Sequence, residues 1–372
     1  MVTVWTGREA NALREAMRLS IDDFAALARI SRRSVANWSS RGDAMRLRWD
    51  AQRSLDRLLA AASHDVHVRL DHLLAAGHDT RMRLATEPGR GAPDLVATLV
   101  NPPEPEHDDA APALIRLERA VAHMRMGYQA CRIRETSDRL PRLMRTLRSA
   151  RASLDPSRVG KLAAEAYHVA SELLLKLGDV PLSMFAAERC AQEARTSGQP
   201  LAVAASDRAT ASVLLRSGHA DTAAALSARS AQRLREATTL DGPRPLSGYG
   251  ALLLTEALAH ARLGDRAQAI ARLDDAARVA DGLGFDGNHG WTAFGPTNVA
   301  LHRLSVLLAL GDPGGALHAV EHLEPEHIRP AERQAAYYLD TAAALQRMGK
   351  PQEATAATAH AARIAPELVA TS

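Results

Sequence analysis

The feature that most constrains this chain is a helical hairpin that repeats five times along its C-terminal two thirds. Each hairpin has a first helix rich in Leu and Ala, a turn containing glycine, and a second helix with small residues on one face. The turn glycines are spaced by 40, 46, 47 and 38 residues: Gly178, Gly218, Gly264, Gly311 and Gly349. One hairpin cannot bury its apolar face alone, so the pattern predicts hairpins stacked into an α-solenoid.

Small residues recur in the second helices where neighbouring helices must approach, and they make the units resemble tetratricopeptide repeats: Ala186, Ala187, Ala223, Ala224, Ala267, Ala269, Ala316 and Ala354. A turn glycine suits a helix end that enters the left-handed region, and a following Asp can cap the next helix. Another, degenerate hairpin is predicted to begin near Pro112.

The composition agrees with an all-α fold. Hydrophobic residues make up 46% of the chain and charged residues 24%, but aromatic residues only 3%, which is typical of a globular protein poor in strands. The two cysteines cannot form a disulfide framework, which favours a reducing compartment. No signal peptide or membrane span is recognisable, so we expect a cytoplasmic protein without a membrane partner.

Three short helices are predicted at the N-terminus, over residues 7–18, 21–28 and 32–40, and they form a helix-turn-helix bundle. Val35 and Trp38 supply the inward positions of the third helix. Eight arginines lie between Arg29 and Arg57 against three aspartates, so basic character is concentrated here.

The outward face of the third helix carries side chains suited to reading DNA. Arg33, Asn37 and Arg41 lie at i, i+4 and i+8 on one stripe. Arg pairs bidentately with guanine and Asn with adenine in the major groove. Ser31 is predicted to cap this helix.

These residues carry a resemblance to the XRE, or lambda-repressor-like, helix-turn-helix family, which covers about 50 residues. The matching positions are Leu13, Arg14, Leu19, Ser20, Phe24, Ala25, Ala28, Ile30, Ser31, Ser34, Val35, Trp38 and Gly42. The resemblance implies that Arg32, Arg33 and Asn37 contact bases and that Ser31 and Arg41 lie toward phosphates. Ser34 is a further candidate DNA-binding residue. The second helix departs from the family by carrying Asp22 and Asp23, which would repel a phosphate backbone.

The whole chain resembles regulators of GC-rich bacteria that join an XRE domain to tetratricopeptide repeats, and this implies signal sensing. The most characteristic stretches are residues 294–303, 332–334 and 337–340. We therefore expect a DNA-binding domain at 1–76, a Pro- and Gly-containing linker at 77–113 and a repeat domain for sensing and dimerisation at 114–372.

A ligand site is predicted on the concave face of the repeats, around an aromatic loop at 285–298 in a chain otherwise poor in aromatics. The candidate residues are Tyr249, Trp291, Phe294, Asn298, His302 and Tyr338. The alternative is that these rings only fill a wide gap between two long repeats. A second basic stretch, from Arg125 to Arg151, is interpreted as a solvated face.

The predicted function is sequence-specific binding of double-stranded DNA by a homodimeric transcription regulator that senses a small molecule or peptide. The alternative is a repeat scaffold for protein partners whose helix-turn-helix serves only for docking. No catalytic residues, cofactor or metal are predicted. His318, Glu321 and His322 match an H-x-x-E-H pattern, but the sequence offers no third zinc ligand.

Overall fold

The computed structural model of the chain describes residues 5–17, 19–41, 47, 49–63, 66, 70, 92–100 and 113–369. The regular elements in these ranges are α-helices and short 3-10 turns, so the predicted all-α class is confirmed. The chain divides into two compact units, Met1–Glu87 and Pro88–Ser372. We call them the N-terminal unit and the repeat domain.

The N-terminal unit contains helices α1 (Gly7–Ala16), α2 (Ile21–Ala28), α3 (Arg32–Arg41) and α4 (Trp49–Ala60). The first three match the predicted helices to within two residues. Their shared core is fully apolar: Trp5, Leu13, Phe24, Val35, Trp38 and Leu55 are all buried.

The turn between α2 and α3 has the local chemistry of a helix-turn-helix. Ser20 caps α2 by accepting a hydrogen bond from the backbone N–H of Asp23 at 3.1 Å. Arg29 ends α2 in the left-handed region, with φ of 54°. Ser31 accepts from the backbone N–H of Ser34 at 3.1 Å, as expected of the residue that caps α3.

The repeat domain begins, within the described residues, with helix α5 (Ala92–Val100) and continues as six hairpins. Their helices are α6 (Leu114–Gln129), α7 (Ile133–Ala150), α8 (Pro156–Lys176), α9 (Val180–Ser197), α10 (Pro200–Arg216), α11 (Ala220–Ala237), α12 (Pro243–Arg262), α13 (Arg266–Leu283), α14 (Pro296–Ala309), α15 (Pro313–His318), α16 (Ala331–Arg347) and α17 (Pro351–Ile364). A short helix α18 (Pro366–Val369) follows, and 3-10 turns lie at His289–Trp291 and Pro325–His327.

Helix α5 lies inside the segment that the sequence predicts to be a linker. It packs on α7, and its Leu95 and Leu99 are buried in the same apolar cluster as Leu140 and Leu147. Because a helix needs only one apolar face to dock, proline and glycine on either side did not prevent it from joining the repeat domain. The boundaries at 76 and 113 stay predictions.

The hairpin turns follow the predicted chemistry. All five turn glycines adopt φ between 76° and 84°, in the left-handed region that a side chain would strain. At three of the turns the next residue caps the following helix: Asp179, Asp265 and Asp312 accept backbone N–H bonds at 3.1, 3.1 and 2.9 Å. These local signals fix where each hairpin reverses.

The first hairpins of the repeat domain contact the last. The ammonium of Lys176 on α8 lies 2.8 Å from the Glu332 carboxylate on α16. The Gln129 side chain at the end of α6 exchanges hydrogen bonds with Asn288 and also donates to the Trp291 carbonyl, at 2.7 to 3.2 Å.

Two further contacts join the same regions. The backbone N–H of Arg134 donates to Glu367 at 2.7 Å, and Ala335 and Ala365 belong to the apolar cluster built mainly by α5 to α9. The inner helices of the solenoid therefore enclose an interior instead of lining an open groove. No helix in the described part of the chain is long and apolar enough to span a bilayer.

Candidate functional site

The candidate site is a cavity of about 110 Å³ inside the repeat domain. It lies between the first helices of four hairpins, α6, α8, α10 and α12, and the 3-10 turn at His289–Trp291. Its lining residues are Arg125, Lys161, Ala164, Glu165, His168, Cys190, Gln199, Leu201, Ala202, Ala204, Ala205, Arg208, Arg244, Gly248, Gly290, Trp291 and Thr292. One wall is charged and the other is built from small and apolar residues.

Arg125 is the most unusual residue of this cavity, because only 5% of it is exposed. Its Nε is buried without a hydrogen-bond partner, and no carboxylate in the described part of the chain forms an ion pair with it. Burial lowers the pKa of its guanidinium. An unpaired buried charge is costly, so this arginine is a candidate for binding a ligand.

His168 lies beside Arg125 and is 2% exposed. Burial, and then the nearby guanidinium groups of Arg125 and Arg208, lower its pKa well below the ordinary value, so it is neutral near pH 7. Arg208 donates to its Nε2 at 3.0 Å, which places the ring proton on Nδ1. That Nδ1 is buried without a partner.

Cys190 closes the floor of the cavity and donates its thiol to the Ala164 carbonyl at 3.2 Å. Burial raises the pKa of this thiol to about 12. A thiol held protonated is a poor nucleophile, so Cys190 contributes packing and shape.

A smaller cavity of about 40 Å³ adjoins the first and shares Arg125, His168, Arg208 and Trp291 with it. Its far wall is the ion-pair network at the junction of α8 and α16. Burial alone would raise the pKa of Glu332, but the adjacent Arg333 and Lys176 lower it to about 2. The network therefore stays ionised and links the cavity to the contact between early and late hairpins.

Trp291 is the predicted ligand residue that the structure places at the cavity, where it lines both spaces. Its backbone is in the left-handed region, with φ of 63°, and the Gln129 amide donates to its carbonyl at 3.2 Å. A strained conformation held by a specific hydrogen bond is typical of functional positions.

Phe294 and Asn298 belong to the aromatic loop but line neither of these two cavities. Phe294 is fully buried, with its ring over Gly250. Asn298 is 3% exposed and donates to the Thr292 carbonyl at 3.3 Å. Phe294 therefore packs in the gap between repeats and Trp291 lines the cavity, while ligand binding by the loop stays a prediction.

The remaining predicted ligand residues are dispersed. Tyr249 lines a separate cleft beside Glu256 and Arg272. Tyr338 stacks on His360 at a centroid distance of 4.9 Å. His302 is half-buried, and its Nδ1 lies 2.9 Å from the Asn298 carbonyl. Ligand contact at these positions stays a prediction.

His302 gives a testable pH dependence. Burial, and then Arg333, lower its pKa from the ordinary 6.5 to about 4 in the folded protein. The unfolded chain therefore binds more protons between these values, and stability falls as the pH falls through this window. His302 alone should reduce the free energy of unfolding by about 2 kcal/mol between pH 7 and pH 5.

Urea unfolding of wild type and His302→Gln at both pH values measures this contribution. The variant should lose about 2 kcal/mol less than wild type on acidification. His219→Gln, at an exposed position, is the control. Equal pH dependence in wild type and His302→Gln would contradict the assignment.

The candidate DNA-binding residues lie along α3 and at Ser31, directly before it. Arg32 and Arg33 are exposed, and Ser31 and Ser34 are bound to each other by their hydroxyls at 2.8 Å. Arg32 Nε donates to the Asp22 carboxylate at 2.5 Å, so Asp22 neutralises one of these two exposed arginines. Asn37 and Arg41 lie on α3, but their side chains fall outside the described atoms.

Among the described residues, no group of three or more His, Cys, Asp or Glu side chains is arranged to hold a metal ion. His318 ends α15, is exposed and has its Nδ1 2.9 Å from the Glu321 carboxylate.

The charged wall of the cavity was not found from the sequence. The prediction that the stretch beginning at Arg125 is a solvated face is wrong for Arg125, which is buried. A signal was present, because Arg125 shares a helical stripe with Leu117, Val121 and Tyr128, which are all buried. His168 and Arg208, one hairpin apart, carried no comparable signal.

The structure is that of an all-α protein with a tetratricopeptide-like helical-repeat domain. No protein-family profile matches the chain, and no curated protein matches it in sequence. The resemblance of the N-terminal unit to the XRE family therefore stays a prediction.

Solved structures with a similar fold exist. A Rap protein complexed with competence and sporulation factor has a TM-score of 0.51 and 11% identity, covering 98% of this chain and 99% of that one. Aspartyl phosphate phosphatase F from Bacillus subtilis has a TM-score of 0.48 and 13% identity, covering 98% and 95%. BtubC from P. vanneervenii has a TM-score of 0.40 and 17% identity, covering 68% and 92%. At such identities the likeness to the Rap protein shows the helical-repeat fold alone.

Proposed function

We propose that this protein is a regulator whose repeat domain binds a peptide or small-molecule effector in its interior cavity. The observation that carries the proposal is the buried and unpaired Arg125 in a cavity enclosed by the inner helices of four hairpins. A Rap protein of similar fold was solved in complex with a factor, which supports the proposal by analogy of fold. The proposed effector-binding function is closer to the alternative prediction, a repeat scaffold for protein partners, than to the prediction of DNA binding alone.

Affinity selection tests the proposal. The full chain is incubated with a randomised heptapeptide library and a panel of small organic acids, and retained compounds are identified by mass spectrometry. Trp291→Ala removes a cavity wall and should weaken retained compounds about tenfold or more. Phe285→Ala removes an exposed ring from the same loop and should leave binding unchanged.

Retention of nothing, or retention that Trp291→Ala leaves intact, would contradict the proposed receptor role. Unfolding curves of both variants establish that they are folded. Because Phe285 and Trp291 are six residues apart in one loop, the pair separates loss of the cavity wall from general damage to the loop.

A second candidate function, DNA binding by the N-terminal unit, is favoured by one specific observation. Arg33 is exposed at the start of α3, on a helix whose N-terminus is capped by Ser31 and whose opposite face is buried. That is the position from which a recognition helix contacts base edges. We propose that this unit binds double-stranded DNA as part of a homodimer, which light scattering of the full chain tests.

Two substitutions test the DNA proposal in opposite directions. Arg33→Ala should cost about 1 to 3 kcal/mol at a selected site. Asp22→Asn releases Arg32 from its ion pair, so it should raise affinity for random DNA and steepen the dependence of log K on log salt by about 0.9. Polarisation titrations at several salt concentrations measure both.

If neither substitution changes DNA affinity, the helix-turn-helix serves another purpose, such as docking of a protein. Arg14→Gln is not a suitable control, because Arg14 donates to the Leu19 carbonyl and supports the fold. Arg57→Gln is better, since Arg57 is exposed on α4.

A further inference from the structure

The interior cavity has a strong excess of positive charge. Four basic side chains line it, Arg125, Lys161, Arg208 and Arg244, against the single carboxylate of Glu165. Glu165 is already paired, since the ammonium of Lys161 lies 3.9 Å away on the same helix. Within the described residues, none of the three arginines forms an ion pair with a carboxylate of the cavity wall.

The nearby carboxylates compensate Arg125 only in part, since Glu165 and Glu172 favour its charged form from a distance but neither forms an ion pair with it. Arg208 donates a hydrogen bond to the neutral ring of His168, which carries no negative charge. Asp207, next to Arg208 in sequence, turns away and pairs with Arg233 at 2.8 Å. Arg125 keeps a buried Nε with no acceptor in the described structure. Such a cluster is completed by an anion from outside the chain.

The opposite wall defines the rest of the ligand. Leu201, Ala204 and Ala205 on α10 and the indole of Trp291 present an apolar surface next to the arginines. A ligand that fills this space needs an anionic group and a compact apolar group a few bonds apart. The cavity of about 110 Å³ has room for one such unit and not for a long chain.

We propose that this cavity is a carboxylate-binding subsite, in which Arg125 and Arg208 bind a carboxylate and the α10 wall with Trp291 holds the adjacent apolar group. The carboxylate belongs to the C-terminal residue of a peptide or to a small organic acid. The planar fork of a guanidinium matches the two oxygens of a carboxylate, and the apolar wall excludes a fully hydrated inorganic anion. This inference rests on the proposed receptor function and names its ligand chemistry.

The experiment uses the full chain labelled with 5-fluorotryptophan and a probe of defined chemistry. Trp291 is the only one of the four tryptophans in the repeat domain, and Trp291→Phe assigns its ¹⁹F resonance. The probes are N-acetyl-leucine, N-acetyl-leucinamide and inorganic phosphate. N-acetyl-leucine should shift the resonance of Trp291 and not those of the other three tryptophans. N-acetyl-leucinamide and phosphate should bind about tenfold more weakly or not at all.

Three variants test which arginines bind the carboxylate of the probe. Arg125→Met and Arg208→Gln should each weaken N-acetyl-leucine about tenfold or more, whereas Arg189→Gln, on the outer helix α9, should not. Arg125→Met should fold, since it replaces an unpaired buried charge by an apolar side chain of similar length, and the other three resonances report folding.

To separate peptide from organic acid, peptides retained by the chain are remade with amidated C-termini. A large loss on amidation assigns the carboxylate to the peptide C-terminus, and retained organic acids assign it to a small molecule. Equal binding of acid and amide, tighter binding of phosphate, or no response of Trp291 to the acid would overturn the subsite. Retained peptides that bind equally well as amides would overturn it while leaving the receptor function intact.

Discussion

Phe294→Ala should destabilise the repeat domain by about 3 to 5 kcal/mol, the largest effect we expect of a single substitution. The ring is 0% exposed and packs with Leu253, Leu254 and Val299 between two long hairpins. Its removal leaves a cavity lined by apolar atoms that neither neighbouring helix can close.

A substitution at Gly250, which faces the Phe294 ring, tests the same contact. A Cβ built on Gly250 would lie 2.0 Å from the Phe294 ring, so Gly250→Ala should also destabilise the domain strongly. Gly282→Ala is the control, because Gly282 lies in α13 with open space around it, and it should stabilise the chain by up to about 1 kcal/mol.

Urea unfolding followed by circular dichroism measures all three variants. If Phe294→Ala and Gly250→Ala each cost less than about 1 kcal/mol, the aromatic loop does not seal the gap between these repeats. The double variant Gly250→Ala with Phe294→Ala should be less destabilised than the sum of the two, since the clash disappears with the ring.

Glu332→Gln should destabilise the repeat domain by about 3 kcal/mol, because it removes the carboxylate paired with both Lys176 and Arg333 and leaves only Glu172 as a nearby counter-charge. The pKa of Glu332 is lowered to about 2, so this contribution is present above the ordinary pKa of a glutamate and is lost only as the pH falls toward 2. The penalty should therefore be constant between pH 5 and pH 8.

The exposed pair of Lys350 and Glu353, 3.2 Å apart, is the control. Glu353→Gln should change the free energy of unfolding by about 0.5 kcal/mol or less. Glu332→Gln should also speed amide hydrogen exchange in α16, since it loosens the contact with α8. A cost equal to that of Glu353→Gln would show that the junction contributes little.

Much of the fold follows from local signals that one sequence displays. The turn glycines predicted the left-handed helix ends, and Asp179, Asp265 and Asp312 predicted the caps that follow them. The helix-turn-helix at the N-terminus was predicted from the spacing of Phe24, Val35 and Trp38. In both regions the decisive residues lie within one helix end or one pair of neighbouring helices.

The cavity could not be predicted in the same way, because it depends on contacts between distant hairpins. Gln129 and Asn288 are 159 residues apart, and Lys176 and Glu332 are 156 apart. Contacts between the first and last hairpins enclose Arg125. Contacts at such long sequence separation cannot be predicted from a single sequence. The aromatic content of the loop instead points to Phe294, whose ring is buried in an apolar cluster between repeats.

Hydrogen exchange of the full chain with a retained effector tests the central claim most directly. If the effector binds in the interior, protection should increase in the inner helices α6, α8 and α10 and in the turn at His289–Trp291. The outer helices α7 and α11, which do not line the cavity, should change little. Protection confined to the outer helices or to the N-terminal unit would contradict the interior site.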